Sequence, residues 1–492
     1  MNRECAETHL RLLAEAELRA AVGAGSVTAD RGDASYGRMV RVARALADVH
    51  ALDYETADAI LSDHSIALGA RQRSDQARRM MRFRSALGQR PWLARRAGGS
   101  QIVADPPTLA GAVLANPGLA NPGLADPGLA NPGRVLESGP SGPDRYVPLG
   151  LTLWYEHDGL GGEMHLLSYS RTASGARFAL AWRITSSAWS GGNPLPSGLF
   201  GVTDDKGARY TLAFSGCGGP DWAGEITLCP DPPDDVGWFD LAPPGGPALR
   251  VRVNPDRPPH DGSPLVRHTG LSPGEHLLNQ TAERLLTAAP DFRPLRLQPL
   301  TGIATGLGDV VAALEAAEAL PVASPVPGRL AALCASLGVT GHGITAPPAH
   351  DLPELWLSLL AHYQRRKPEE APVWDGFAAV AAALPELDGI GLALLGLHTN
   401  EGRTVLHLRA SHTDGTDERL VPDFPLSVWV RDSGGRWHAA QQASGYRDDR
   451  EYALMLRLVP PLTRATDWIE LLVAGPAAEV RARLPLCWGS PP

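Results

Sequence analysis

Three stretches of this chain carry residue types that do chemistry elsewhere. Gly270-Leu271-Ser272-Pro273-Gly274 has the G-x-S-x-G spacing of a nucleophile elbow, a turn that exposes a serine for acyl transfer. In that elbow the N–H after the serine helps hold the oxyanion, and Pro273 has no N–H, so the pattern excludes this chemistry. Ser272, Pro273 and Glu275 fit N-cap, N1 and N3 of a helix entering His276-Leu277-Leu278, a capping box. Glu156, His157, Asp158, Glu163 and His165 gather around one hairpin loop, where a hydrolase could be built. Neither this cluster nor His260, His268 and His276 has a spacing that places ligands on one face of a metal.

Thr301-Gly302-Ile303-Ala304-Thr305-Gly306-Leu307-Gly308, with Tyr363-x-x-x-Lys367 after it, resembles the cofactor turn and Tyr/Lys pair of short-chain dehydrogenases. The departures decide against it. Pro299 interrupts the strand that should precede the turn, and the tyrosine arrives before a doubly wound sheet could be threaded. A Gly-rich loop before a helix is the reading. No catalytic, cofactor-binding or metal-ligating residue is assigned.

Two arginine sets could bind a partner. Arg71, Arg78 and Arg82 fall on one face of a basic segment in which nine arginines between Arg71 and Arg96 meet only Asp75. They suit nucleic acid or an acidic protein. Arg250 and Arg252, and again Arg481 and Arg483, alternate with apolar residues, so that in a strand they face away from the core. There they guard an exposed edge against aggregation or meet carboxylates on a partner.

Composition bounds the rest. The 492 residues suggest about three domains, and 53 glycines with 44 prolines imply much irregular chain. A net charge of −9 excludes a protein that coats nucleic acid with its whole surface. Cys5, Cys217, Cys229, Cys334 and Cys487 are scattered and odd in number, which fits thiols in a reducing compartment. The charged N-terminus lacks a signal-peptide core and no long apolar run occurs, so a cytoplasmic protein without a membrane partner is expected.

These residues need elements to position them. Residues 1–97 read as a helical bundle, with Met39, Val42, Ala43 and Leu46 in one apolar stripe. Residues 98–146 form a linker holding the tandem repeat Asn116-Pro117-Gly118-Leu119-Ala120 onward, with too little apolar surface to offset chain entropy. Strict alternation from Val147 begins a β module over 147–255. Residues 256–389 return to helices, at 273–288, 307–319, 326–337, 352–365 and 373–384, and a second β module follows over 390–488.

The two modules share a pattern. Asp205-Lys206-Gly207-Ala208-Arg209-Tyr210 answers Asp432-Ser433-Gly434-Gly435-Arg436-Trp437, and the Trp238 strand answers the Trp468 strand, both tryptophans being expected largely buried. Leu249 to Val253 answers Val480 to Leu484. Ala45-Leu46 and Ala51-Leu52 also echo Ala313-Leu314 and Ala319-Leu320. The expected fold is multidomain α+β, a helical bundle and two duplicated antiparallel β-sandwiches, Ig-like or fibronectin-like, with a helical segment between them.

The order of parts, the helical entry Glu7 to Glu17 and the Thr203 to Tyr210 hairpin together resemble a group of uncharacterised actinobacterial proteins. The resemblance implies a helical bundle followed by Ig-like modules and brings no activity. The expected function is that of a non-enzymatic scaffold whose two modules bind a protein partner, with no cofactor. A nucleic-acid-linked regulator acting through 71–96 is the alternative, and a hydrolase near Glu156–His165 the second.

Overall fold

A computed structural model describes residues 1–23, 29–69, 145–157, 160–172, 175–184, 200–217, 223–253, 264–288, 298–345, 351–365, 376–400, 402–412, 425–448 and 451–489. Helices α1 (Arg3–Gly23), α2 (Ala29–Asp48) and α3 (Tyr54–Gly69) bury Leu10, Met39, Leu46, Ile60 and Leu68 in one cluster, as their helical spacing requires. Asp53 caps α3 by accepting the Thr56 N–H at 2.7 Å. The basic segment 71–96 and the Asn-Pro-Gly repeat lie outside the described residues.

The first β module comprises β1 (Arg145–His157), β2 (Leu160–Thr172), β3 (Gly175–Ile184), β4 (Gly201–Asp204), β5 (Arg209–Cys217), β6 (Ala223–Cys229), β7 (Trp238–Ala242) and β8 (Leu249–Arg252). They form one antiparallel sheet in the order β1-β2-β3-β6-β5-β4-β7-β8. Residues from both ends of that order, among them Leu153, Phe178, Leu212, Phe239 and Val251, share a single core, so the sheet folds over on itself.

After β9 (Leu265–His268) come α4 (Pro273–Ala288), α5 (Gln298–Ala304), α6 (Leu307–Ala316), α7 (Val326–Ser336) and α8 (Glu354–Arg365). The capping box forms as read. The Ser272 N–H donates to the Glu275 carboxylate at 2.8 Å, and the Glu275 N–H donates to Ser272 Oγ at 3.2 Å. Between α5 and α6 the Gly-rich turn places Gly306 at φ +79°, and Gly308 sits where a Cβ would strike the Gly343 carbonyl.

The second module holds β10 (Gly376–Ala378), β11 (Ala382–Leu387), β12 (Ile390–Asn400), β13 (Arg403–His412), β14 (Ser427–Asp432), β15 (Trp437–Asp448), β16 (Glu451–Val459), β17 (Trp468–Ala474), β18 (Ala478–Pro485) and β19 (Trp488–Gly489). The helix expected over 373–384 is therefore replaced by β10 and β11, both paired with β12. Alanine-rich composition favours helix only weakly, and the ladder overrides it. A two-residue turn at Asp388 (φ 51°) and Gly389 (φ 78°) joins β11 to β12.

The modules repeat strand for strand. The order β2-β3-β6-β5-β4-β7-β8 recurs as β12-β13-β16-β15-β14-β17-β18. Val202 opposes Tyr210 as Val430 opposes His438, and Thr211 opposes Cys229 as Ala439 opposes Val459. The hairpin aspartates do the same work: Asp204 Oδ1 accepts the Ala208 N–H and Asp432 Oδ1 accepts the Arg436 N–H, both at 2.8 Å. The helical echo is equally close. The Leu46 carbonyl accepts the Ala51 and Leu52 N–H groups after His50 at φ 56°, and the Leu314 carbonyl accepts those of Ala319 and Leu320 after Glu318 at φ 55°.

Three details of the duplication differ from expectation. Asp204, not Asp205, is the counterpart of Asp432, so the hairpins match one residue away from the alignment of Asp205–Tyr210 with Asp432–Trp437. Asp240 opposes Arg250 and Glu470 opposes Arg483, so Arg250 corresponds to Arg483, and the closing strands match two residues away from the alignment of Leu249 with Val480. Trp238 and Trp468 are equivalent but only half-buried, because their strand's inward positions are the neighbours Phe239 and Ile469, each 0% exposed.

Among the described residues the helices cover one of the modules. Trp429, Trp437, Ala439 and Leu472 on the outer face of β14, β15 and β17 join the same cluster as α1–α8. The equivalent positions in the first module are Gly201, Arg209, Thr211 and Ala242, and all four are exposed.

Candidate functional site

Two places concentrate polar chemistry: the seam between the modules and a cleft beside α4. Period two builds the seam. On β3, Phe178, Leu180 and Trp182 turn to the module core, leaving Arg177, Ala179 and Ala181 for the other face; on β13, Leu406 and Leu408 turn inward and His407 and Arg409 outward. Bulges at Leu167 and Leu395 push these two equivalent leucines into one small cluster with Ala179, Ala181, Ala393 and Phe377. A Cβ on Gly396 would lie 2.8 Å from the Leu167 Cβ.

Four charges lock this seam. Arg177 Nη1 meets Glu451 Oε2 at 2.6 Å, and Arg409 Nη2 donates to Glu225, so each module contributes one arginine and one glutamate. Arg409 Nη1 also donates to Ser170 Oγ at 2.8 Å, and Thr172 Oγ1 donates to Glu451 at 3.3 Å. Burial works against the Arg409 charge, yet the Glu225 and Glu451 carboxylates hold its pKa above the ordinary value. Register makes Val405 the counterpart of Arg177 and Met455 that of Glu225, so the lock is reciprocal without using equivalent positions.

Histidines fill the other end of the seam. His165 stacks on Phe377 with ring centroids 4.6 Å apart, and its Nδ1 pairs with Thr152 Oγ1 at 3.0 Å. His398 Nδ1 and His407 Nε2 share a hydrogen bond of 2.7 Å. Burial, then the neighbouring His165, pushes the His398 pKa down to about 4, and burial with His398 beside it lowers His407 further. Of the suggested hydrolase cluster the side chains of Glu163 and His165 are described: His165 belongs to the packing between modules, and buried Glu163 lies beside it, Oε2 3.8 Å from its Nε2. Among the described residues no group of three or more His, Cys, Asp or Glu converges as a metal site would.

The cleft, about 360 Å³, lies where α4 meets the second module. β14 pairs with β15 only from Trp429 to Arg431, and beyond that point the strands part. Leu426, Val428, Ala440 and Leu456 wall the gap, and Glu283 and Arg284 of α4 stand beside it. Trp429 Nε1 donates to Glu283 Oε1 at 2.7 Å, while burial of the carboxyl pushes its pKa up to about 7. Sequence reasoning missed Glu283 because an acid in a helix ordinarily faces water, and the groups that hold it, Trp429 and Ser427, are distant in sequence.

The arginines of the closing strands face outward as read. Arg250 reaches both Asp240 oxygens, at 2.9 and 3.0 Å, and lies 3.6 Å over the Trp238 ring. Arg483 lies 3.9 Å over Trp468 in the same way. Arg252 is exposed, whereas Arg481 is half-buried between Glu470 and Glu479, on a strand whose edge β9 covers. Arg71, Arg78 and Arg82 lie outside the described residues. No described helix is long and apolar enough to cross a membrane.

No protein-family model and no curated protein matches the chain. Among solved structures, the crystal structure of the conserved domain protein from Bacillus anthracis is similar over 67% of this chain and 77% of that one. Its sequence identity is 8% and its TM-score 0.15, a likeness too slight to carry any argument about this chain.

Proposed function

We propose that this chain is a non-enzymatic, cytoplasmic scaffold that binds a protein partner through its two β modules. The observation that carries this reading is the matched pair of surface features, Trp238 under Arg250 and Trp468 under Arg483, held in one frame by the buried charges of the seam. Tryptophan and arginine dominate binding energy at protein interfaces, and a fixed spacing lets one partner engage both. The modules are read as Ig-like. Their shared order corresponds to strands A-B-E-D-C-F-G of an immunoglobulin sandwich, β1 standing outside it.

The test is capture from a native lysate with the full chain as bait, followed by crosslinking to locate the partner. Crosslinks should fall around Trp238 and Trp468, and Arg250→Glu with Arg483→Glu should reduce capture at least about thirtyfold, the loss of one hot spot. Undiminished capture by the double variant would reject the reading. The nucleic-acid alternative rests on 71–96 alone, and no observation in the described residues favours it.

A further inference from the structure

The internal duplication supplies a control for the cleft beside Glu283. Leu212, Ala213 and Phe214 of β5 occupy the positions that Ala440, Gln441 and Gln442 occupy in β15, since Leu212 opposes Leu228 as Ala440 opposes Leu458. In the first module Leu212 is buried and the Phe214 ring approaches Trp182 at 6.4 Å, so side chains fill this space. In the second, the shorter alanine and the polar glutamine leave it open between Leu426, Val428 and Leu456. Two carboxamides from β15 stand at the cleft, and a third, with a carboxyl and a guanidinium, arrives from α4.

We propose that this cleft binds a free aliphatic α-amino acid. Its branched side chain would occupy the volume that Leu212 and Phe214 fill in the first module. Its ammonium group would pair with Glu283 and its carboxylate would face Arg284, with the amides of Gln280, Gln441 and Gln442 as further partners. The cleft volume of about 360 Å³ lies in the range of small-molecule sites. Glu283 is fixed for this role by the Trp429 N–H, and a half-buried carboxylate gains from a cation that enters with the ligand. Ligand binding here is independent of the partner docking proposed above.

The full chain is titrated calorimetrically, above neutral pH, with L-leucine. Isoamylamine, which lacks the carboxylate, and isocaproate, which lacks the amine, serve as controls. L-leucine should bind, with both fragments at least about tenfold weaker. Glu283→Gln, which keeps an acceptor for Trp429, should weaken binding by a similar factor. Ala440→Leu and Gln442→Phe each restore a first-module side chain and should abolish binding, with circular dichroism and the urea midpoint showing the fold retained. If one of these two fails to fold, the other decides. Absence of heat with L-leucine, fragments that bind as well as the whole, or binding that survives a folded filling variant overturns the proposal.

Discussion

Arg177 Nη1 and Glu451 Oε2 lie 2.6 Å apart, each the contribution of a different β module and each buried. A buried pair of this kind stabilises little in comparison with apolar residues of the same size, but losing one partner strands the other charge. Arg177→Met or Arg409→Met should therefore cost about 3–5 kcal/mol, read from urea unfolding of the full chain. Replacing Arg177 and Glu451 together by methionine should recover most of that loss. A single arginine variant as stable as the native chain would show that the pair is not desolvated.

One buried and one half-buried group should tilt stability with pH in opposite directions. His398 has its pKa lowered from 6.5 to about 4, so the unfolded chain binds a proton the folded one refuses, and stability falls as pH drops from about 6.5 towards 4. Glu283 has its pKa raised from 4.5 to about 7, so its contribution is complete below 4.5 and is lost as pH rises to about 7. Each slope amounts to about 3 kcal/mol, and they largely cancel between pH 4.5 and 6.5. Glu283→Gln should expose the histidine slope in the urea midpoint across that window. An unchanged profile in the variant would mean that Glu283 titrates as an ordinary acid.

Gly396 sits at φ +150° with Leu167 of the other module against it. Gly396→Ala should force the seam open and cost about 1–3 kcal/mol, the usual range for overpacking. Gly396→Ala combined with Leu167→Ala removes the obstructing side chain and should be less destabilised than the sum of the single variants. Additive losses would place the strain in the backbone alone.

The outward tryptophans should matter less to stability than the residues beside them. Phe239→Ala, at a fully buried position, should cost about 3–5 kcal/mol. Arg250→Ala, which removes the exposed guanidinium over Trp238, should cost much less. Equal losses in thermal unfolding would contradict the division into core and surface.

Much of this architecture is legible in the residues because it is written locally. The stripe of Met39, Val42 and Leu46, the Ser272–Glu275 box and the alternation of Phe178, Leu180 and Trp182 each depend on neighbours within a few positions. The Asp388-Gly389 turn was equally readable, and it would have turned the supposed helix over 373–384 into a hairpin strand. The seam and the cleft could not be read in this way. Arg177 finds Glu451 and Trp429 finds Glu283 only after several elements have docked, and nothing within a few residues of any of them announces the partner.

The exposed Gly201, Arg209, Thr211 and Ala242 of the first module have a consequence for how the chain assembles on the ribosome. Among the described residues that module lacks the apolar platform its sibling keeps, and the N-terminal helices share a cluster with the second module instead. They are anchored in the second half: the Asn2 N–H donates to the Ala317 carbonyl at 2.8 Å, and Arg38 bridges from Glu17 to Asp309. These helices can reach their final place only after α6, made later, has emerged. In that order of events, helices made early are among the parts docked late.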